Sequence, residues 1–173
     1  MIAKKFLILI QLVFCGVPTI ALAAGQNIYI NQNYGYRISV PGTATIETDP
    51  PPAPQHGFNI VLGKERAISV DASYDSTFLG STEAAIHDRA GDDGIPNPIK
   101  PIKCRIGGLK GERIHAEVNG KNIDLAVAYR PDRQNSSIIY TFELDTNNQT
   151  SAEDERLFRK ILEKFSLTPL TDK

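Results

Sequence analysis

The stretch Ser151–Phe165, SAEDERLFRKILEKF, decides the fold. Leu157, Phe158, Ile161, Leu162 and Phe165 recur at steps of three and four, so they share one stripe of a helix. Arg156, Arg159, Lys160, Glu163 and Lys164 fill the other side. Acidic residues open the segment and basic ones close it, which complements the helix dipole. Ser151-Ala152-Glu153-Asp154 reads as a capping box that starts the helix. A helix this one-sided needs an apolar surface to cover, and the preceding strands must supply it.

Reading backwards, those strands emerge one by one. Ile138, Tyr140, Phe142 and Leu144 alternate with polar residues, as do Ile123, Leu125, Val127 and Tyr129, and Ile114, Ala116 and Val118. Between the last two runs lies Asn119-Gly120, the pair that a type I′ hairpin turn prefers because both positions need positive φ. Lys103 to Leu109 reads as a strand that ends in Gly107-Gly108. Earlier, Ile68, Val70 and Ala72 alternate with Ser69, Asp71 and Ser73, and Gly63 to Arg66 turns the chain back from Phe58, Ile60 and Leu62. Tyr36, Ile38 and Val40 form a further strand stopped by Pro41-Gly42. Ile28 and Ile30 hint at an edge strand, and Thr43 to Glu47 should pair with a neighbour. Ser81 or Thr82 caps a short helix through Glu83 to Arg89, with Gly91 as its stop. One wet and one buried face per strand is the mark of an antiparallel sheet. The expected class is α+β: a central antiparallel β-sheet with flanking helices and a closing amphipathic helix.

The N-terminus has the parts of an export signal. Lys4 and Lys5 precede the apolar run Phe6 to Phe14, Gly16 and Pro18 break it, and Ala21-Leu22-Ala23 offers small residues for cleavage. The expected cut falls between Ala23 and Ala24, which divides the chain into a signal peptide, 1–23, and one domain, 24–173. Cys15 follows bulky Phe14, which disfavours lipidation and leaves no stable membrane anchor after cleavage. The expected location is periplasmic or secreted. Cleavage takes Lys4 and Lys5 from 19 basic residues and none from 20 acidic ones. A mildly acidic chain has no electrostatic reason to hold nucleic acid. Cys104 is then the one cysteine left, so no internal disulfide can form, and its apolar neighbours Ile102 and Ile106 suggest a buried, inert thiol.

Motifs for chemistry are missing from the sequence. His56, His87 and His115 have no second ligand at zinc spacing, Gly107-Gly108-Leu109-Lys110-Gly111 lacks the ending of a phosphate loop, and no serine sits in a nucleophile elbow. No catalytic residue, metal or cofactor is expected. A partner surface is sought in two proline-rich loops. Pro51, Pro52, Pro54 and His56 belong to the first; Asp92, Asp93, Pro96 and Pro98 belong to the second. Proline stiffens such loops and lowers the ordering cost of contact.

The layout resembles the PsbP-like and Mog1-like domains. The resemblance is carried by Tyr34-Gly35-Tyr36-Arg37-Ile38-Ser39-Val40-Pro41, by Gly107-Gly108 between strands, and by the run from Ala152 to Leu167. It implies a central antiparallel sheet between helices and a habit of binding other proteins within larger complexes. No functional residue of the family maps onto this chain, and the proline insert at Asp49 to Pro54 departs from its pattern. The expected function is an exported, non-enzymatic protein-binding module. Alternatives are an immunity or inhibitor protein against a toxin or hydrolase sent to the periplasm, a small-ligand carrier, and a hydrolase using Cys104.

Overall fold

A computed structural model describes residues 25–48, 56–96, 99–131, 137–147 and 150–170. The expected cleavage point at Ala23 and Ala24 lies outside them, as do Pro51, Pro52, Pro54 and Pro98. Among the described residues no helix is long and apolar enough to cross a membrane.

The described residues form two sheets and two helices. In chain order the elements are β1 (Gln26–Asn31), β2 (Tyr36–Pro41), β3 (Thr45–Glu47), β4 (Phe58–Gly63), β5 (Arg66–Tyr74), α1 (Thr82–Asp92), β6 (Ile102–Ile106), β7 (Leu109–Val118), β8 (Lys121–Arg130), β9 (Ile138–Asn147), α2 (Ser151–Lys164) and β10 (Ser166–Leu167). The large sheet runs β3-β4-β5-β9-β8-β7-β6, and the small one runs β1-β2-β10. Every pairing is antiparallel. The expected class holds. Asn119 and Gly120 take φ of 53° and 80°, the turn their sequence asked for. Gly107 and Gly108 make a second tight turn, from β6 into β7. A Cβ at Gly107 would stand 2.5 Å from Phe165 Cδ1, so the last core aromatic can seat there only against glycine.

The side of the large sheet that faces α2 is dry and aromatic. Phe158, Ile161, Leu162 and Phe165 pack on Ile68, Val70, Tyr140, Phe142 and Leu144. Phe165 is the hub: its ring centroid lies 5.5 Å from Tyr36, 5.1 Å from Tyr140 and 5.2 Å from Phe142. The small sheet closes this layer. Tyr140 Oη donates to the Tyr34 carbonyl at 2.7 Å, and Arg130 donates to the carbonyls of Gly35 and Thr168 at 3.1 and 3.2 Å. These bonds satisfy the polar ends of groups whose bodies are buried.

On the other side α1 lies over β7 and β8. Ala85, Ile86 and Ala90 meet Ile114, Ala116, Ile123, Leu125 and Val127, and Ile95 and Ile99 fold back from the following loop to join them. Strand β8 is therefore buried on both faces.

Several boundaries depart from the sequence reading. The strand expected from Lys103 to Leu109 ends at Ile106, and Leu109 already belongs to β7. Phe165, expected on the helical stripe, is the extended cap after Lys164. Helix α1 runs past Gly91 to Asp92, because the Asp93 N–H still reaches the Arg89 carbonyl at 3.2 Å and Arg89 engages the Asp93 side chain. Helix α2 starts from Thr150 as its cap, with Ser151 already helical and no side-chain capping bond. The capping box fails because Thr150, one residue earlier, takes the cap position and leaves Ser151 inside the helix, and Asp154 has another use. It turns under the helix to Arg66, at 2.9 and 2.8 Å, and to Thr146 Oγ1, at 2.5 Å.

Candidate binding cleft beside the first helix

Alternation on two strands creates the site. Ser69, Asp71 and Ser73 of β5 point away from the aromatic core, and so do Ile139, Thr141 and Glu143 of β9. These strands are neighbours in the sheet, with Ser69 opposite Glu143 and Asp71 opposite Thr141. Because α1 covers β7 and β8, the polar residues of β5 and β9 stay uncovered beside it. A cleft of about 310 Å³ results, floored by both strands and walled by Leu79, Ala85, Asp88, Arg89 and Asp92.

Its electrostatics centre on Arg89. Nη2 lies 2.6 Å from Glu143 Oε2 and 3.1 Å from Asp93 Oδ1, so one cation ties the floor to the end of the helix. Burial alone would lower the guanidinium's pKa, but the Glu143, Asp93 and Asp92 carboxylates outweigh it and hold the group above its usual range. Asp93 shows the opposite balance. Burial, then Glu143, Asp92 and Asp145, push it up to about 6 against the pull of Arg89. Its Oδ2 is buried and accepts no hydrogen bond among the described residues. Among the described residues the lining pairs the hydroxyls of Ser69, Ser73 and Thr141 with carboxylates and contains no histidine or lysine.

The sequence candidates divide between cleft and scaffold. Asp92 lines the cleft and Asp93 sits behind it, both at the end of α1 instead of in a free loop. Pro96 lies near His87, Ile95 and Ile99, in a loop that packs back on α1. His56 ties the domain together: its carbonyl accepts from Asn31 and Tyr36 at 3.2 and 3.1 Å, and its Nδ1 meets Ala72 O and Tyr34 Oη at 3.1 Å. Cys104 stands opposite Gly111 and packs on the α2-side core, where burial raises its thiol's pKa. Thiolate chemistry needs the reverse. Asp71, Asp88, Arg89 and Glu143 escaped the sequence reading. Their signal was the polar face of two alternating strands, which becomes a floor only once β5 is known to adjoin β9.

The architecture has known counterparts. The solution structure of cyanobacterial PsbP (CyanoP) from Synechocystis sp. PCC 6803 superposes with a TM-score of 0.56 at 14% identity, over 88% of this chain and 98% of that one. This chain has the PsbP/Mog1-like fold. The Saccharomyces cerevisiae Ran-binding protein Mog1p matches with a TM-score of 0.50 at 10% identity, over 84% of this chain and 96% of its own. A Bacteroides thetaiotaomicron structure matches with a TM-score of 0.51 at 10% identity, over 87% of this chain and 51% of that one. At such identities the likeness is one of fold. No family model matches the sequence, and no curated protein sequence does.

Proposed function

We propose that the chain is an exported, non-enzymatic binding module that receives a basic segment of a partner protein in the cleft beside α1. The observation that carries this is the cleft's charge. Glu143 and Asp93 already engage Arg89, so Asp88 and Asp92 leave the cleft's wall net negative. Such a surface steers a lysine- or arginine-bearing partner toward it and rejects acidic ones. The serine and threonine hydroxyls of the floor suit hydrogen bonding to an extended peptide. Mog1p, whose fold this chain shares, is itself a binding protein.

Export rests on the signal-like N-terminus, and mass analysis of the purified product tests it. A mature chain beginning at Ala24 supports the periplasmic reading, and retained Met1 removes it. The partner reading is tested by affinity capture from envelope extract with the wild type and with Asp88→Lys/Asp92→Lys. A partner held by the first and released by the second is expected. Retention by both would move the interface away from the cleft.

A further inference from the structure

The α2 side of the sheet carries a polar cluster that the cleft does not use. Arg113 and His115 of β7 and Asp124 of β8 meet Glu155 from the first turns of α2. The Asp124 side chain is 3% exposed, and Arg113 Nε donates to its Oδ1 at 2.7 Å. Its other oxygen, Oδ2, faces His115 Nδ1 at 3.4 Å. That exceeds the roughly 2.7–3.2 Å of a good N–H···O bond. It is close to the separation of two ligands on a tetrahedral ion held at roughly 2.0–2.1 Å from each. With Glu155, the ligand atoms of all three side chains lie within 4.8 Å of one another. The ion pairs of Glu155 are long, 3.3 Å to Arg113 and 3.4 Å to Arg159, so a small swing brings its carboxylate in.

The geometry points to a divalent-cation site made by His115, Asp124 and Glu155. One imidazole nitrogen and two carboxylates are a donor set that zinc accepts. Arg113 grips the oxygen of Asp124 that the ion does not need and so fixes the carboxylate's orientation from outside the coordination sphere. Inside the cluster two carboxylates face the one guanidinium of Arg113, while Arg159 reaches Glu155 from the exposed side of the helix, where solvent screens its charge. A cavity of about 230 Å³, lined also by Asn122, Thr146 and Ser151, opens beside the three groups and gives solvent access to a fourth position. A bound ion would pin the start of α2 to β7 and β8.

Isothermal titration of the untagged protein with zinc chloride tests this, together with the visible absorption of added cobalt(II). One equivalent of zinc should bind, and cobalt should give the strong bands of a tetrahedral site. His115→Ala and Glu155→Gln lie at exposed and half-buried positions and should keep the fold, confirmed by circular dichroism. Each should weaken zinc binding by about tenfold or more. His87→Ala should leave it unchanged. Zinc should raise the melting temperature of the wild type and not that of His115→Ala. No binding at millimolar zinc, or binding that neither ligand substitution weakens, would overturn the site.

Discussion

The two faces of the large sheet solve burial differently. Toward α2, every strand from β4 to β9 contributes to one core, with Phe165 wedged among Tyr36, Tyr140 and Phe142. Toward α1, among the described residues, a helix of 11 residues lies over β7 and β8 and buries two alanines and one isoleucine. A helix of that length spans about 16 Å and cannot roof seven strands. The uncovered remainder became polar, and the cleft lies there. Each face also holds a carboxylate–arginine pair in an opposite state. Asp154 is held down and Asp93 is pushed up.

The contrast in packing predicts the largest effect. Phe158→Ala should cost about 3–5 kcal/mol in urea unfolding, while Ile86→Ala should cost nearer about 2–3 kcal/mol. Equal losses would mean that the α1 face is as tightly filled as the other. Next comes Asp154→Ala, which leaves Arg66 and Thr146 without their acceptor and should cost about 3 kcal/mol.

The two carboxylates should also separate by pH. Burial works to raise the pKa of Asp154, but hydrogen bonds from Arg66 and Thr146 more than offset it and set the native value below 3.8. Its contribution is therefore present above pH 3.8 and lost as pH falls through the lower native value. Asp93 runs the other way: its stabilising contribution is present below pH 3.8 and lost as pH rises through about 6. Unfolding free energies measured from pH 3 to 8 should show Asp93→Asn flattening the upper window alone, with a gain of about 1 kcal/mol at the alkaline end. A shared window for the two would collapse the distinction. The smallest effect belongs to Asp88→Lys and Asp92→Lys, which should change stability by no more than about 0.5 kcal/mol each.

Much of the dry face was legible in the sequence. The 157–165 stripe, the alternation of β4, β5 and β9, and the Asn119-Gly120 turn are local signals, and local signals survive folding. Strand β8 was legible as a strand, yet Ala126 and Ala128 between its larger residues gave little sign of a second buried face. The cap of helix α2 falls one residue before the expected one, and Asp154 serves to hold Arg66, 88 residues away in the chain. The cleft was hidden by distance along the chain too. Ser69 and Glu143 become neighbours only through the β5–β9 pairing, which no spacing reveals. His115, Asp124 and Glu155 are brought together by a β-hairpin and a helix that returns over it.

The most direct measurement places a photo-reactive residue at Ser69, on the cleft floor, or at Arg156, on the outer side of α2, and exposes each protein to envelope extract. Adducts should form from the cleft position alone and disappear when Asp88→Lys/Asp92→Lys is added. Adducts of equal yield from both positions, or cleft adducts indifferent to the charge reversal, would contradict a binding site built on the open polar face.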